Sequence, residues 1–158
     1  MLRILLLCGA LLAAPAFAQA PLPPTQGQLL YLPIYSHILY GDITNAGKPQ
    51  ELLLSAQISI RNADPSSPLR VTSVQYYDGT GKRLKEFAAK PVTVPPLGAH
   101  EFYVPKSDSS GGTGASMVVR WQSDKPVNPP VVEAIHAEVA GTRALAFVTT
   151  GRPIADGK

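Results

Sequence analysis

The chain has 158 residues and a formal charge of +3, with 14 Lys and Arg against 11 Asp and Glu. That length fits one ordinary domain, large enough to bury about two thirds of its unfolded surface without covalent staples. The basic residues are spread along the chain. Lys82-Arg83-Leu84-Lys85, the densest run, reads as a solvated hairpin end, so no nucleic-acid partner is expected.

The first eighteen residues read as an export signal. Arg3 supplies the positive start, residues 4–17 the apolar stretch, and Ala16-Phe17-Ala18 a small-x-small cleavage site. Such a stretch is shorter than the roughly 20 residues needed to cross a bilayer, and no stop-transfer charges follow, so no membrane span is expected in the mature chain. The single cysteine, Cys8, lies too early in the apolar stretch for lipoprotein processing. The mature chain then starts at Gln19 in the periplasm or outside the cell, has 140 residues, and carries no cysteine for disulfides, thiol catalysis or metal.

Residues 19–28 are proline-rich and read as an extended linker, and residues 153–158 as a frayed tail. The segment between, 29–152, reads as one domain with a hydrophobic period close to two. Leu52, Leu54, Ala56, Ile58 and Ile60 alternate with polar residues, the pattern of a strand with one wet face. Further strands are expected over 29–39, 69–77, 83–87, 91–94, 100–104, 115–122, 131–139 and 144–150. Turn chemistry separates nearly all of them, including Asp78-Gly79-Thr80-Gly81, Asn128-Pro129-Pro130 and Gly141-Thr142. About nine short strands with no helical period predict an all-β fold, an antiparallel β-sandwich of Ig-like general architecture. In the strand over 131–139, Val131, Ile135, Ala137 and Val139 give the apolar parity. Glu133 shares it and would point inward, needing a cation such as Arg61, Arg120 or Arg152, or a place at the strand mouth. Trp121 shares a face with Ala115, Met117 and Val119 and reads as core.

Chemistry is most concentrated in residues 106–114, where Asp108 and Ser110 stand beside Gly111, Gly112 and Gly114 between two strands. Glycines there give a ligand access to backbone N–H groups, or simply allow a tight connection. The loop is not a nucleotide P-loop, because the G-x-x-x-x-G-K-[ST] spacing is missing and a strand follows. His37, His100 and His136 fall in three different strands with no H-x-H or H-x-x-x-H pairing, so no metal or other cofactor is expected. His37 has aromatic neighbours and Asp42 nearby.

Several segments taken together resemble an exported bacterial family, domain of unknown function 3124. They are Tyr35-Ser36-His37, Ile58-Ser59-Ile60-Arg61-Asn62 with Asp64, residues 71–78, Ser110-Gly111-Gly112-Thr113-Gly114-Ala115, Trp121-Gln122-Ser123-Asp124 and Pro130-Val131-Val132-Glu133-Ala134. The resemblance runs from about residue 31 to 152. It carries no assigned activity and implies only candidate positions: Tyr35, His37, Arg61, Asp64, Asp78, Ser110, Gly111, Gly112, Gly114 and Trp121.

Three functions compete. One is a non-catalytic envelope module that binds a protein or small ligand through loops at one end, with polar loop residues gathered near Asp64, Asp78 and Asp108. Another is a small hydrolase or lyase using His37 with Asp42, Asp78 or Asp108, which requires those groups within about 2.6–3.2 Å. The third is a purely structural envelope protein. The leader yields a direct prediction: export removes residues 1–18, because Pro21 disfavours a cut after Ala20. Intact-mass measurement of the exported protein should give a chain starting at Gln19, whereas a retained leader or a lipid on Cys8 would refute it.

Overall fold

The computed structural model describes residues 22–156, so the expected leader and cleavage site lie outside the described residues. Every regular element among these residues is a β-strand, twelve in all. One sheet runs β12 (Arg152–Ile154), β1 (Thr25–Ile34), β9 (Ala115–Val127), β5 (Leu69–Tyr77) and β6 (Arg83–Glu86), with β7 (Val92–Val94) also pairing β5. A second sheet runs β11 (Arg143–Thr150), β10 (Val131–Ala140), β4 (Ser55–Arg61) and β8 (Ala99–Val104). Strands β2 (His37–Tyr40) and β3 (Gln50–Leu53) form a separate hairpin. All pairings are antiparallel. No described helix is long and apolar enough to cross a membrane.

The two larger sheets stack their inner faces into one core. Leu30, Leu32 and Ile34 of β1 meet Met117, Val119 and Trp121 of β9, opposite Ala56, Ile58 and Ile60 of β4. Period two explains each of these sets. In β5 it breaks once: Leu69 and Val71 point inward, then Val74 and Tyr76 do. Thr72 is the extra residue that shifts the register between Val71 and Ser73, so a bulge keeps both halves of the strand buried.

Three more strands exist than the nine expected. The predicted strand over 29–39 breaks at Tyr35 and Ser36 into β1 and β2. The one through Leu52 to Ile60 breaks at Leu54 into β3 and β4. At both breaks the backbone leaves its sheet, and the Leu54 N–H donates to the Ser36 carbonyl at 2.9 Å. The third addition is β12, in which Arg152 and the first two residues of the expected tail, Pro153 and Ile154, pair with β1. The linker is likewise shorter than expected, since Thr25 to Gln28 already pair with β9.

In β10 the expected parity is reversed. Val132, Ala134 and His136 are buried, whereas Val131, Ile135 and Val139 are exposed. Glu133 therefore faces outward, where its carboxylate accepts a hydrogen bond from Arg61 at 3.2 Å. The His136 ring sets the parity: it stacks on Phe147 with 4.8 Å between centroids, and Tyr35 packs edge-on against both.

His136 Nε2 accepts the Tyr35 N–H at 3.1 Å, which requires the imidazole to be neutral on that side. Burial holds its pKa at about 4, below the ordinary 6.5, and the nearby Ala134 carbonyl offsets this only in part. The unfolded chain thus takes up the proton at a higher pH than the folded one. Stability contributed by this site is complete above pH 6.5 and is lost as pH falls towards 4. Urea unfolding midpoints should decline across that window, and His136→Phe should flatten the decline while lowering the midpoint at neutral pH by orphaning the Tyr35 amide.

Candidate functional site

The registers divide the loops between two ends of the sandwich. Ile34 lies opposite Ala115 and Tyr77 opposite Ser116, so the 35–36 break, the 78–82 turn and the 105–114 loop share one end, together with hairpin β2–β3. The 62–68, 95–98 and 128–130 loops share the other. Asp64 is therefore remote from Asp78 and Asp108, and the single polar cluster expected around all three does not form.

At the far end, Asp64 organises loops. Its Oδ1 accepts the Ser66 and Ser67 amides at 3.0 and 2.9 Å, and its Oδ2 the Asn128 amide at 3.1 Å. Those bonds, led by the Ser66 amide, hold its pKa at about 2. Beside it, buried Asn62 gives its Nδ2 hydrogens to the carbonyls of Ser67, Val94 and Pro95. Asp64 and Arg61 are thus committed to structural bonds, Arg61 through Glu133. Asn62, quoted in the family motif, was missed as the centre of this knot because it joins its own loop to residues 94–98, some thirty positions away.

At the hairpin end the motif residues converge. Ser36 and Tyr76 are both buried, and their hydroxyls meet at 2.9 Å. Gly111 sits against this pair: a Cβ there would lie 2.0 Å from the Tyr76 hydroxyl and 2.6 Å from the Ala115 Cβ. The next residue, Gly112, has φ of +73° and accepts the Ser36 N–H on its carbonyl at 3.0 Å. A Cβ on Gly114 would lie 3.3 Å from the Gly79 Cα, so the 78–82 turn lies close against the same loop. The glycine loop is thereby fastened by two segments distant from it in the sequence, Ser36 and the stretch from Tyr76 to Gly79.

The other candidates at this end are turn-formers. Asp78 Oδ1 accepts from the Thr80 amide at 2.8 Å, the Thr80 hydroxyl at 2.7 Å and the Lys82 amide at 3.0 Å, and the Thr80 hydroxyl leads in lowering its pKa. Asp108 Oδ1 accepts from the Ser110 hydroxyl and amide. His37 is half-buried with its Nδ1 unpartnered, and no hydrogen bond joins it to a carboxylate among the described residues. Tyr35 belongs to the His136 and Phe147 aromatic cluster, and Trp121 is core. No group of three His, Asp or Glu side chains is placed to hold a metal among the described residues.

Beside the motif residues lies a groove of about 360 Å³ between hairpins β2–β3 and β10–β11. Tyr40, Leu52, Ala140, Ala144 and Leu145 give it apolar walls, and Glu138 and Arg143 are its charged members. Lys106 of the glycine-loop segment pairs with Glu138, tying that loop to the groove. Leu39, Tyr40 and Ile43 on the hairpin are exposed, Ile43 by 67%. Sequence reasoning missed this groove. Its signal was the apolar content of residues 38–43, absorbed into an over-long strand.

A family profile described as "Protein of unknown function (DUF3124)" matches residues 27–154, and the chain belongs to that family. No curated protein matches. Among solved structures, one titled "Crystal Structure of Thermotoga maritima 1070" is similar at 10% identity and a TM-score of 0.44, covering 79% of this chain and 92% of that one.

The three loop glycines should respond differently to alanine. Gly111→Ala forces Tyr76 off Ser36 and overpacks Ala115, for a loss of about 3 kcal/mol. Gly112→Ala meets open space and suffers only from its positive φ, about 1 kcal/mol. Gly114→Ala needs a small retreat from Gly79 and should fall nearer the latter. Urea titration of the three variants checks this order; equal losses at Gly111 and Gly112 would contradict the steric account.

Proposed function

We propose that this member of the DUF3124 family is an exported, non-catalytic binding module that takes an apolar segment of an envelope protein into the groove between hairpins β2–β3 and β10–β11. The groove itself carries this reading. It combines apolar walls with exposed large side chains on a hairpin whose two legs are pinned, where solvent exposure of such residues is costly unless a partner covers them. Leu54 and Ser36 clamp the base of that hairpin, and Ser36 is in turn held by Tyr76 and Gly112. The motif residues act by positioning the groove, and Arg143 supplies a polar anchor for a partner backbone or side chain.

Export places the module where an envelope partner meets it. The candidate acid–base groups serve other ends: Asp78 and Asp108 hold their own turns, which supports a binding role over hydrolysis. A photo-cross-linking side chain in place of Tyr40 should trap one discrete envelope protein in living cells, while the same group in place of Thr72, on the other sheet, should trap none. Leu52→Asp should reduce the adduct at position 40 by tenfold or more with little change in melting temperature. Equal labelling from positions 40 and 72, or an adduct indifferent to Leu52→Asp, would overturn the reading.

A further inference from the structure

Edge strands expose unpaired N–H and C=O groups, and a β-protein ordinarily blunts them with charge, proline or brevity. This fold does so at most of its edges. Strand β12 has three residues and contains Pro153, and β7 also has three. In β6, Arg83 and Lys85 are exposed, and Glu101 is exposed on β8. Strand β11 is the exception: after Arg143 it runs Ala-Leu-Ala-Phe-Val-Thr-Thr without charge or proline.

The free groups of β11 can be assigned. A two-residue turn with Gly141 at φ +59° joins Ala140 to Arg143, making that pair the first hydrogen-bonded one of the hairpin. The Gly151 N–H donates to the Val132 carbonyl at 2.8 Å, two residues beyond the paired Ala134 and Thr149, which keeps the same parity to the end. The N–H and C=O of residues 144, 146, 148 and 150 therefore point away from β10, and no described strand receives them. All four residues are exposed, Val148 by 55%. The strand is held in place from inside by the Thr149 hydroxyl on the Pro33 carbonyl, at 2.7 Å, and by Phe147 on His136. It is a rigid, preformed template.

We propose that β11 pairs antiparallel with β11 of a second copy of this chain, joining the two four-stranded sheets across a two-fold axis at Phe147. Self-complementarity selects this occupant. About that axis, residue 144 of one copy faces 150 of the other and 146 faces 148, so every outward-pointing amide and carbonyl finds a partner. Small Ala146 meets larger Val148, and the two Phe147 side chains meet at the centre in the closer, non-hydrogen-bonded kind of pair. Charge sets the direction: the only charged residue of the strand, Arg143, lies at one end, so the antiparallel arrangement separates the two guanidiniums by the length of the strand, where a parallel one would stack them. The exposed apolar row of Ile135, Val139 and Val148 then continues from one copy into the next. An isologous pair of this kind closes on itself and leaves no free β11 edge.

Sedimentation equilibrium of the mature protein over about a hundredfold range of concentration tests the proposal. A reversible dimer is expected. Ala146→Pro removes an N–H that the fold itself does not use, so it should weaken dimerisation at least tenfold while largely keeping the melting temperature. Val148→Lys should do the same by placing a charge in the seam, and it decides the matter if the proline variant fails to fold. Thr72→Lys, on the other sheet, should leave the dimer intact. A monomer at every concentration, a monomer that pairs only with another protein's strand, or a dimer indifferent to both β11 variants would overturn the assignment. The groove variant Leu52→Asp lies off this edge and should not change the dimer, which keeps the two proposals separable.

Discussion

The hydrogen bond between the Ser36 and Tyr76 hydroxyls is the constraint on which the hairpin end of this protein depends. Two hydroxyls buried in an apolar core are costly unless paired, and each here finds the other at 2.9 Å. Burial of Tyr76 raises its pKa, so the phenol stays protonated and available as a donor. Because both side chains are immobile, whatever packs on them must fit without a Cβ, which is why glycine stands at position 111. Ser36 uses its backbone as well: its N–H reaches Gly112 and its carbonyl takes the Leu54 N–H. One residue thus fixes where β1 ends, where β3 hands over to β4, and where the glycine loop lies.

A second knot of the same design sits at the opposite end. Asn62 and Asp64 satisfy backbone groups from loops that no strand pairing could reach, and the Leu97 N–H closes the set on the Asp64 carbonyl at 3.2 Å. Leu97 itself takes a φ of +55°, unusual for a side chain of that kind, in a loop held on one side by Asp64 and on the other by Asn62 and Gly98. Loops at both ends are therefore rigid parts of the scaffold.

Much of the fold was legible because burial on one face writes period two into the sequence. Leu54 to Ile60 and Ala115 to Trp121 show it plainly, and both proved to be core. What escaped was set by long-range geometry. Nothing local says that residues 29–39 must break at Ser36, since the reason lies at Gly112 and Leu54. Nor does local pattern reveal that Asp64 and Asp78 occupy opposite ends, a consequence of strand direction. The grouped motifs did carry information, for Tyr-Ser-His, Tyr-Tyr-Asp and Ser-Gly-Gly meet in space. Their contacts are architectural: Ser36, Tyr76 and Gly111 pack together, and Asp64 and Asp78 accept backbone amides.

Strand β10 shows most clearly how pattern and packing part company. Its larger apolar residues lie at odd positions, so hydrophobicity alone puts Val131, Ile135 and Val139 inside. The inward face instead carries Val132, Ala134 and His136, whose ring packs against the half-buried rings of Tyr35 and Phe147. Val139 is 73% exposed and stands beside Ala144 in register, at the place where the groove wall and the open β11 edge come together. Isoleucine and valine on a wet face beside an edge free of charge are the features on which the proposed contact with another chain rests.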